Sequence, residues 1–335
     1  MNWNMIGHEW AVELLQSHIA HKRIKHAYLF TGPPGVGRRT LALHFSQAIN
    51  CTQPLKPGIP CGECRTCRQF EHMQHADLSL VQASEIGGTL KVEQIREVQR
   101  AISLSPYEAK YRIALFLRFD EANINASNAL LKVLEEPPAS TILLLTAETP
   151  ESLLPTIVSR CEILRLRPLS FETLSAGLQN MASIPKDNAN FLAHISQGRP
   201  GTALTLYKDP SLLERRQEIL DLHFHLLRAD TIERFNYIKT RYTKKRENFR
   251  IEFIDNLQVW QSVWRDVLLF QTKSTESIIN IDHNETIHNI AAKMTIEKSL
   301  KFISDLDKSI QYLDHYSNLR LTLEVLIMDM PHISF

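Results

Sequence analysis

Short apolar runs alternate with amphipathic stretches through the first half of the chain, then give way to helical spacing alone. His26-Ala27-Tyr28-Leu29-Phe30 is an apolar run that enters a Gly/Pro turn at Gly32, the pattern of a buried strand. Leu78–Val81, Ile113–Leu117 and Ile142–Leu145 read as three more strands. Between them lie helical patterns. Leu14, Leu15 and Ile19 share one face, a helix follows from about Arg39 to Ala48, and Val92, Ile95, Val98 and Ile102 share another face. A further helix from Asn125 to Leu134 is stopped by Pro137-Pro138. Apolar strands alternating with helices predict parallel βαβ units, hence an α/β fold with both faces of the sheet covered.

After Pro168 the strands fade. Residues 169–207 read as a small helical unit closed by Gly198-Arg199-Pro200-Gly201, and the pattern from Ser211 to Met330 is helical throughout. Phe249, Phe253, Leu257, Trp260, Trp264 and Leu268 form one stripe at spacings of three and four, the signature of a bundle core. Three domains are expected: 1–168, 169–207 and 208–335.

Composition narrows the class. With 335 residues, 44% hydrophobic and 22% charged, the chain matches a globular protein and excludes a disordered or fibrous one. Its 38 Lys+Arg against 37 Asp+Glu leave a net charge of +1, which argues against bulk electrostatic coating of nucleic acid or acidic membranes. Lys239–Arg246 holds five basic residues in eight and reads as a solvated interhelical segment. The start of the chain lacks the pattern of a signal peptide, and no run of 18 apolar residues exists to span a membrane. Five cysteines without an export signal predict a reducing cytoplasm, where clustered thiols favour metal over disulfides.

Two motifs carry candidate chemistry. Gly32-Pro33-Pro34-Gly35-Val36-Gly37 stands between a strand and a helix, as a phosphate-binding loop requires. A working loop then needs Lys for the β/γ-phosphates and Ser/Thr for Mg²⁺, and here those positions are Arg38 and Arg39. Arg38 keeps the charge in a bulkier, planar form, whereas Arg39 has no oxygen to ligate a metal. Thr40 comes one residue late, rotated by about 100° around the helix. Asp120-Glu121 follow an apolar strand, where a Mg²⁺ carboxylate and a water-orienting base belong. The second motif is Cys51, Cys61, Cys64 and Cys67, spaced C-x9-C-x2-C-x2-C. Four thiolates at this spacing can close a tetrahedral shell around a structural Zn²⁺, with an iron–sulfur cluster as the chemical rival. His72 and His75 lie nearby as competing ligands, and a nucleic-acid-reading finger would need a basic recognition helix that this segment lacks.

These features, together with Asn128-Ala129-Leu130-Leu131-Lys132-Val133-Leu134-Glu135-Glu136-Pro137-Pro138 and Ser159-Arg160-Cys161 in that order, resemble the bacterial clamp-loader subunits of the AAA+ class, and among them the delta-prime family of DNA polymerase III. The likeness runs through about Ala203, and more loosely through Asn318-Leu319-Arg320-Leu321-Thr322-Leu323-Glu324 to the family's collar segment. It implies an AAA+ P-loop module with an inserted zinc module at 51–67, a helical lid and a helical collar assembling into a pentameric ring. It also implies partnership with tau/gamma and delta subunits, and through the complex with the sliding clamp and primed DNA. In that ring Arg160 takes the position of an arginine finger offered in trans to ATP on a neighbouring tau/gamma subunit, and Thr146 takes that of the first sensor. Gly201 stands where ATP-hydrolysing relatives carry a sensing Arg, with Arg199 two residues off. The resemblance therefore implies a stator with a degenerate nucleotide site at Gly32, Gly35, Gly37, Arg38, Thr40, Asp120, Glu121 and Thr146, in which ATP and Mg²⁺ bind weakly or not at all. A hydrolysing tau/gamma-type ATPase and a zinc-dependent nucleic-acid-binding factor are the competing readings.

Overall fold

The computed structural model describes residues 3–85, 87–242, 249–274, 278–314 and 318–333. The chain divides into two compact units: one runs through Ile184 and takes in Gly198–Thr202, and the other holds Pro185–Gln197 and the chain from Ala203 on.

The first unit is built, in order, from α1 (Glu9–Ala20), β1 (Ala27–Thr31), α2 (Arg38–Asn50), α3 (Arg65–Glu71), β2 (Leu78–Val81), α4 (Val92–Ile102), β3 (Arg112–Phe116), α5 (Ile124–Glu135), β4 (Thr141–Ala147), α6 (Pro155–Val158), β5 (Glu162–Arg165) and α7 (Phe171–Ala182). Its five strands form one parallel sheet in the order β2-β3-β4-β1-β5. Every residue of β1 and β4 is buried, as the centre of a doubly covered sheet demands. Side-chain alternation splits the core in two. Tyr28, Phe30, Leu115 and Leu144 pack with Val12, Leu15, Leu41 and Phe45 on one face. Ala27, Leu29, Phe116, Leu143 and Leu145 pack with Ile95, Val98 and Leu130 on the other. Each of these large side chains contributes about 1.5–3 kcal/mol by leaving water. The edge strand β5 was not legible as a strand because only Ile163 and Leu164 are apolar, between Glu162 and Arg165.

The second unit is helical: α8 (Lys186–Ile195), α9 (Pro200–Lys208, which begins among the first unit's residues), α10 (Ser211–Arg228), α11 (Thr231–Tyr242), α12 (Phe249–Gln271), α13 (Asn284–Lys293), α14 (Ile296–Asp314) and α15 (Leu319–Asp329). The predicted stripe is its core, with Phe253, Leu257, Trp260 and Trp264 buried. The side chain of Phe249 and residues 243–246 of the basic stretch Lys239–Arg246 lie outside the described residues. Among the described residues no helix is long and apolar enough to cross a membrane.

Two buried polar groups fix this bundle. The Arg234 guanidinium donates to the carbonyls of Leu226 (2.8 Å), Leu227 (3.3 Å), Met330 (2.7 Å) and Pro331 (2.8 Å), tying the end of α10 to the segment after α15. His223 accepts from the Trp264 indole at 3.0 Å and stacks on Trp260 at 4.6 Å. Complete burial, aided by the charge of Arg234, pulls its pKa from 6.5 to about 3. Between those values the unfolded chain binds a proton that the folded one refuses, so stability falls as pH drops through 6.5. From pH 7 to pH 5 this group alone should remove about 2 kcal/mol. Urea unfolding of the protein and of His223→Gln over that range checks it, since equal pH slopes would exclude the effect.

Candidate nucleotide and metal sites

The phosphate-type loop leaves β1 and enters α2, with Gly32, Gly35 and Gly37 at φ 143°, 80° and 114°, a region that side chains disfavour. A Cβ on Gly32 would stand 2.2 Å from the carbonyl oxygen of Leu166. The loop is buttressed from the N-terminal segment, where buried His8 donates from Nε2 to the Val36 carbonyl at 3.0 Å. Burial lowers the pKa of His8 and keeps the imidazole neutral for this bond.

The tip of the loop is engaged by backbone. The Gly201 amide donates to the Gly35 carbonyl at 2.7 Å. A Cβ on Gly201 would lie 2.9 Å from that oxygen, and one on Gly35 would lie 2.2 Å from the Thr202 hydroxyl. Both positions therefore demand glycine, and an arginine at 201 has no place beside the loop as it stands. The sequence pattern around Gly198–Gly201 gives no sign of this contact, which only the fold reveals.

Arg38 begins α2 half-buried, with its Nη1 buried and without a hydrogen-bond partner. Burial lowers its pKa, opposed by the carboxylates of Asp120 and Glu148. Asp120, just beyond β3, likewise has a buried Oδ1 without a partner. The guanidinium thus places a positive charge close enough to Asp120 and Glu148 to feel both carboxylates. Arg39 and Thr40 are both exposed. Glu121 is held by Arg118 at 2.8 Å and by the Gly87 amide at 2.9 Å, both on Oε1, while its buried Oε2 has no partner. Thr146, buried on β4, accepts from the Arg118 amide at 2.9 Å. Arg118 was not singled out in the sequence. Its signal was a cation three residues before Glu121.

The four cysteines converge. Sγ–Sγ distances are 3.5 Å for Cys51–Cys61 and 4.0 Å for both Cys51–Cys64 and Cys61–Cys67. Tetrahedral coordination at about 2.3 Å places sulfurs about 3.8 Å apart, so the donor set fits a single metal ion. The amides of Cys61, Cys64 and Cys67 each point at a preceding sulfur, at 3.3–3.4 Å. Burial disfavours the Cys64 thiolate, but donation from Cys67 and Thr52 brings its pKa down to about 6. Cys64 also caps α3, a short helix absent from the sequence reading. Neither histidine joins the cluster: His72 is exposed, and buried His75 stacks on Phe70 at 4.3 Å while accepting from the Asp77 amide. The four thiols can hold a metal ion.

Arg160 follows α6 with its side chain 35% exposed, donating to Glu135 at 2.8 Å and to the Thr156 carbonyl at 2.9 Å. Cys161 is half-buried, and burial raises its pKa to about 12, so it is no nucleophile.

Known proteins share this arrangement of sequence. The family described as DNA polymerase III, delta subunit, matches residues 7–170. The delta' subunit of DNA polymerase III from Bacillus subtilis is 30% identical over 287 residues, 85% of this chain and 84% of its own length. The delta' subunit of Pseudomonas aeruginosa is 34% identical over 201 residues, 58% of this chain and 60% of its own. The tau subunit of Bacillus subtilis is 24% identical over 346 residues, covering 97% of this chain and 60% of tau. With a delta' relative aligned over most of both chains, this protein belongs to the DNA polymerase III delta' subunit family.

Proposed function

We infer that this chain is the non-motor subunit of a bacterial clamp loader, a cytoplasmic AAA+ protein that helps place the sliding clamp on primed DNA. Its α/β module (1–168), lid (169–207) and collar (208–335) sit in a pentameric ring with tau/gamma and delta subunits. Arg160 is offered in trans to ATP on an adjacent tau/gamma subunit, while its own site does not turn over ATP. The cysteine cluster holds a structural Zn²⁺ through Cys51, Cys61, Cys64 and Cys67; when bound, the ion supplies cross-linking of a segment that has little core of its own.

One observation carries the reading: in a loop otherwise shaped for phosphate, Arg38 and Arg39 replace the two residues that reach the γ-phosphate and Mg²⁺. The Gly35–Gly201 contact supports it. The experiment is ATP hydrolysis by the chain alone and after reconstitution with tau/gamma, delta and clamp proteins. The isolated chain is expected to be inactive. Turnover near about 1 s⁻¹, the low end for such enzymes, would replace the stator with a tau/gamma-type ATPase.

A further inference from the structure

A second basic site lies at the opposite end of the sheet from the phosphate loop. A cavity of about 460 Å³ opens where the chain enters β1, β3 and β4, within the size range of small-molecule pockets. Lys22, Lys25 and Lys110 line it, and no carboxylate does. None of the three lysines pairs with an acidic group among the described residues. In a chain whose 38 basic and 37 acidic residues nearly cancel, this concavity carries uncompensated positive charge. All three lysines are exposed, so an anion can meet them without displacing a partner carboxylate. His26, also in the lining, has its Nε2 buried without a partner.

The rest of the wall mixes apolar side chains with His26, Ser140 and Thr141. Ile24, Ile49 and Ile142 face the cavity beside Tyr111. Asn50 clamps the Tyr111 backbone on both sides, accepting from its amide at 2.8 Å and donating to its carbonyl at 3.1 Å. The Lys110 ammonium stands 5.3 Å from the Tyr111 ring centre, which places one cation at the rim. Ser140, at φ 59°, holds the far turn and accepts the Arg112 amide at 2.8 Å. Cationic and apolar groups lining one cavity match a ligand that carries both a phosphate and a ring.

We propose that this cavity binds a small phosphomonoester of mononucleotide size, its phosphate among Lys22, Lys25 and Lys110 and its ring against Ile24 and Ile49. The site is separate from the phosphate loop and independent of the stator reading. Calorimetric titration of the full chain with thymidine 5′-monophosphate tests it. Binding should weaken at least about tenfold in Lys22→Ala/Lys25→Ala/Lys110→Ala and in the single variant Lys110→Glu, and stay within about twofold in Arg38→Ala. Thymidine should bind at least about tenfold more weakly than its monophosphate. Unchanged affinity in both lysine variants, loss in Arg38→Ala, or no binding at about 10 mM would overturn the proposal. So would an oligothymidylate lacking terminal phosphates that binds more tightly than the mononucleotide and loses affinity in the lysine variants, which would make the cavity a contact for nucleic-acid backbone.

Discussion

Replacing Arg160 with alanine is expected to lower ATP turnover of the reconstituted complex by about 10³-fold or more, with ring assembly unchanged. The size follows from transition-state charge. A guanidinium delivered to a neighbour's γ-phosphate stabilises charge that develops only as the phosphoryl group transfers. The effect should therefore fall mainly on kcat rather than KM. The chain itself should tolerate the change. Arg160 and Glu135 are 35% and 52% exposed, and an ion pair this open to water is worth only about 0–1 kcal/mol. The same weakness lets the guanidinium leave Glu135 for a phosphate at little cost. Steady-state hydrolysis by the complex carrying Arg160→Ala, beside size-exclusion analysis of assembly, is the measurement. Unchanged turnover would make Arg160 an intrachain ion pair and no more.

Metal removal should have the largest effect on structure. Native protein is expected to carry one zinc per chain, and Cys64→Ser to carry none. The segment from Cys51 to Glu71 would then lose its fold. Within it Gly58, Cys67 and Phe70 are the buried residues, and α3 is seven residues long with a cysteine sulfur as its cap. A helix of that length is unstable alone in water. Zinc binding to comparable small sites supplies about 10–16 kcal/mol of apparent free energy. Protease should thus cut between residues 51 and 71 in Cys64→Ser or after chelation, while the sheet, with its own two-faced core, persists. Elemental analysis and limited proteolysis read this out. Iron with visible charge-transfer absorption, or no metal at all, would overturn the zinc assignment.

Much of the first unit was legible because central parallel strands are apolar on both faces: β1, β3 and β4 stand out as runs of Ala, Ile, Leu, Phe and Tyr. The edge strand β5 was not, because its sequence mixes Glu and Arg with only two apolar residues, whereas the other edge, β2, has three apolar residues in four. The cysteine spacing located the four-thiol cluster, but α3 within it was too short for a periodic signal. The altered phosphate loop was equally plain as a list of residues. What no local pattern encodes is who meets whom across the fold: Gly201 at Gly35, the Gly87 amide on Glu121, Glu135 on Arg160. Those pairings depend on tertiary approach between segments as many as 166 positions apart, as 201 minus 35 gives.

The backbone contact between Gly35 and Gly201 also bears on how such a subunit can change over generations. Restoring Lys at 38 and Thr at 39 would rebuild half a nucleotide site under a loop whose tip is still closed. Introducing Arg at 201 first would drive a side chain to within 2.9 Å of the Gly35 oxygen, with nothing to compensate. Each repair is fruitless or harmful without the others. On the proposed stator role, single substitutions at 38, 39 or 201 would not return hydrolysis to this site.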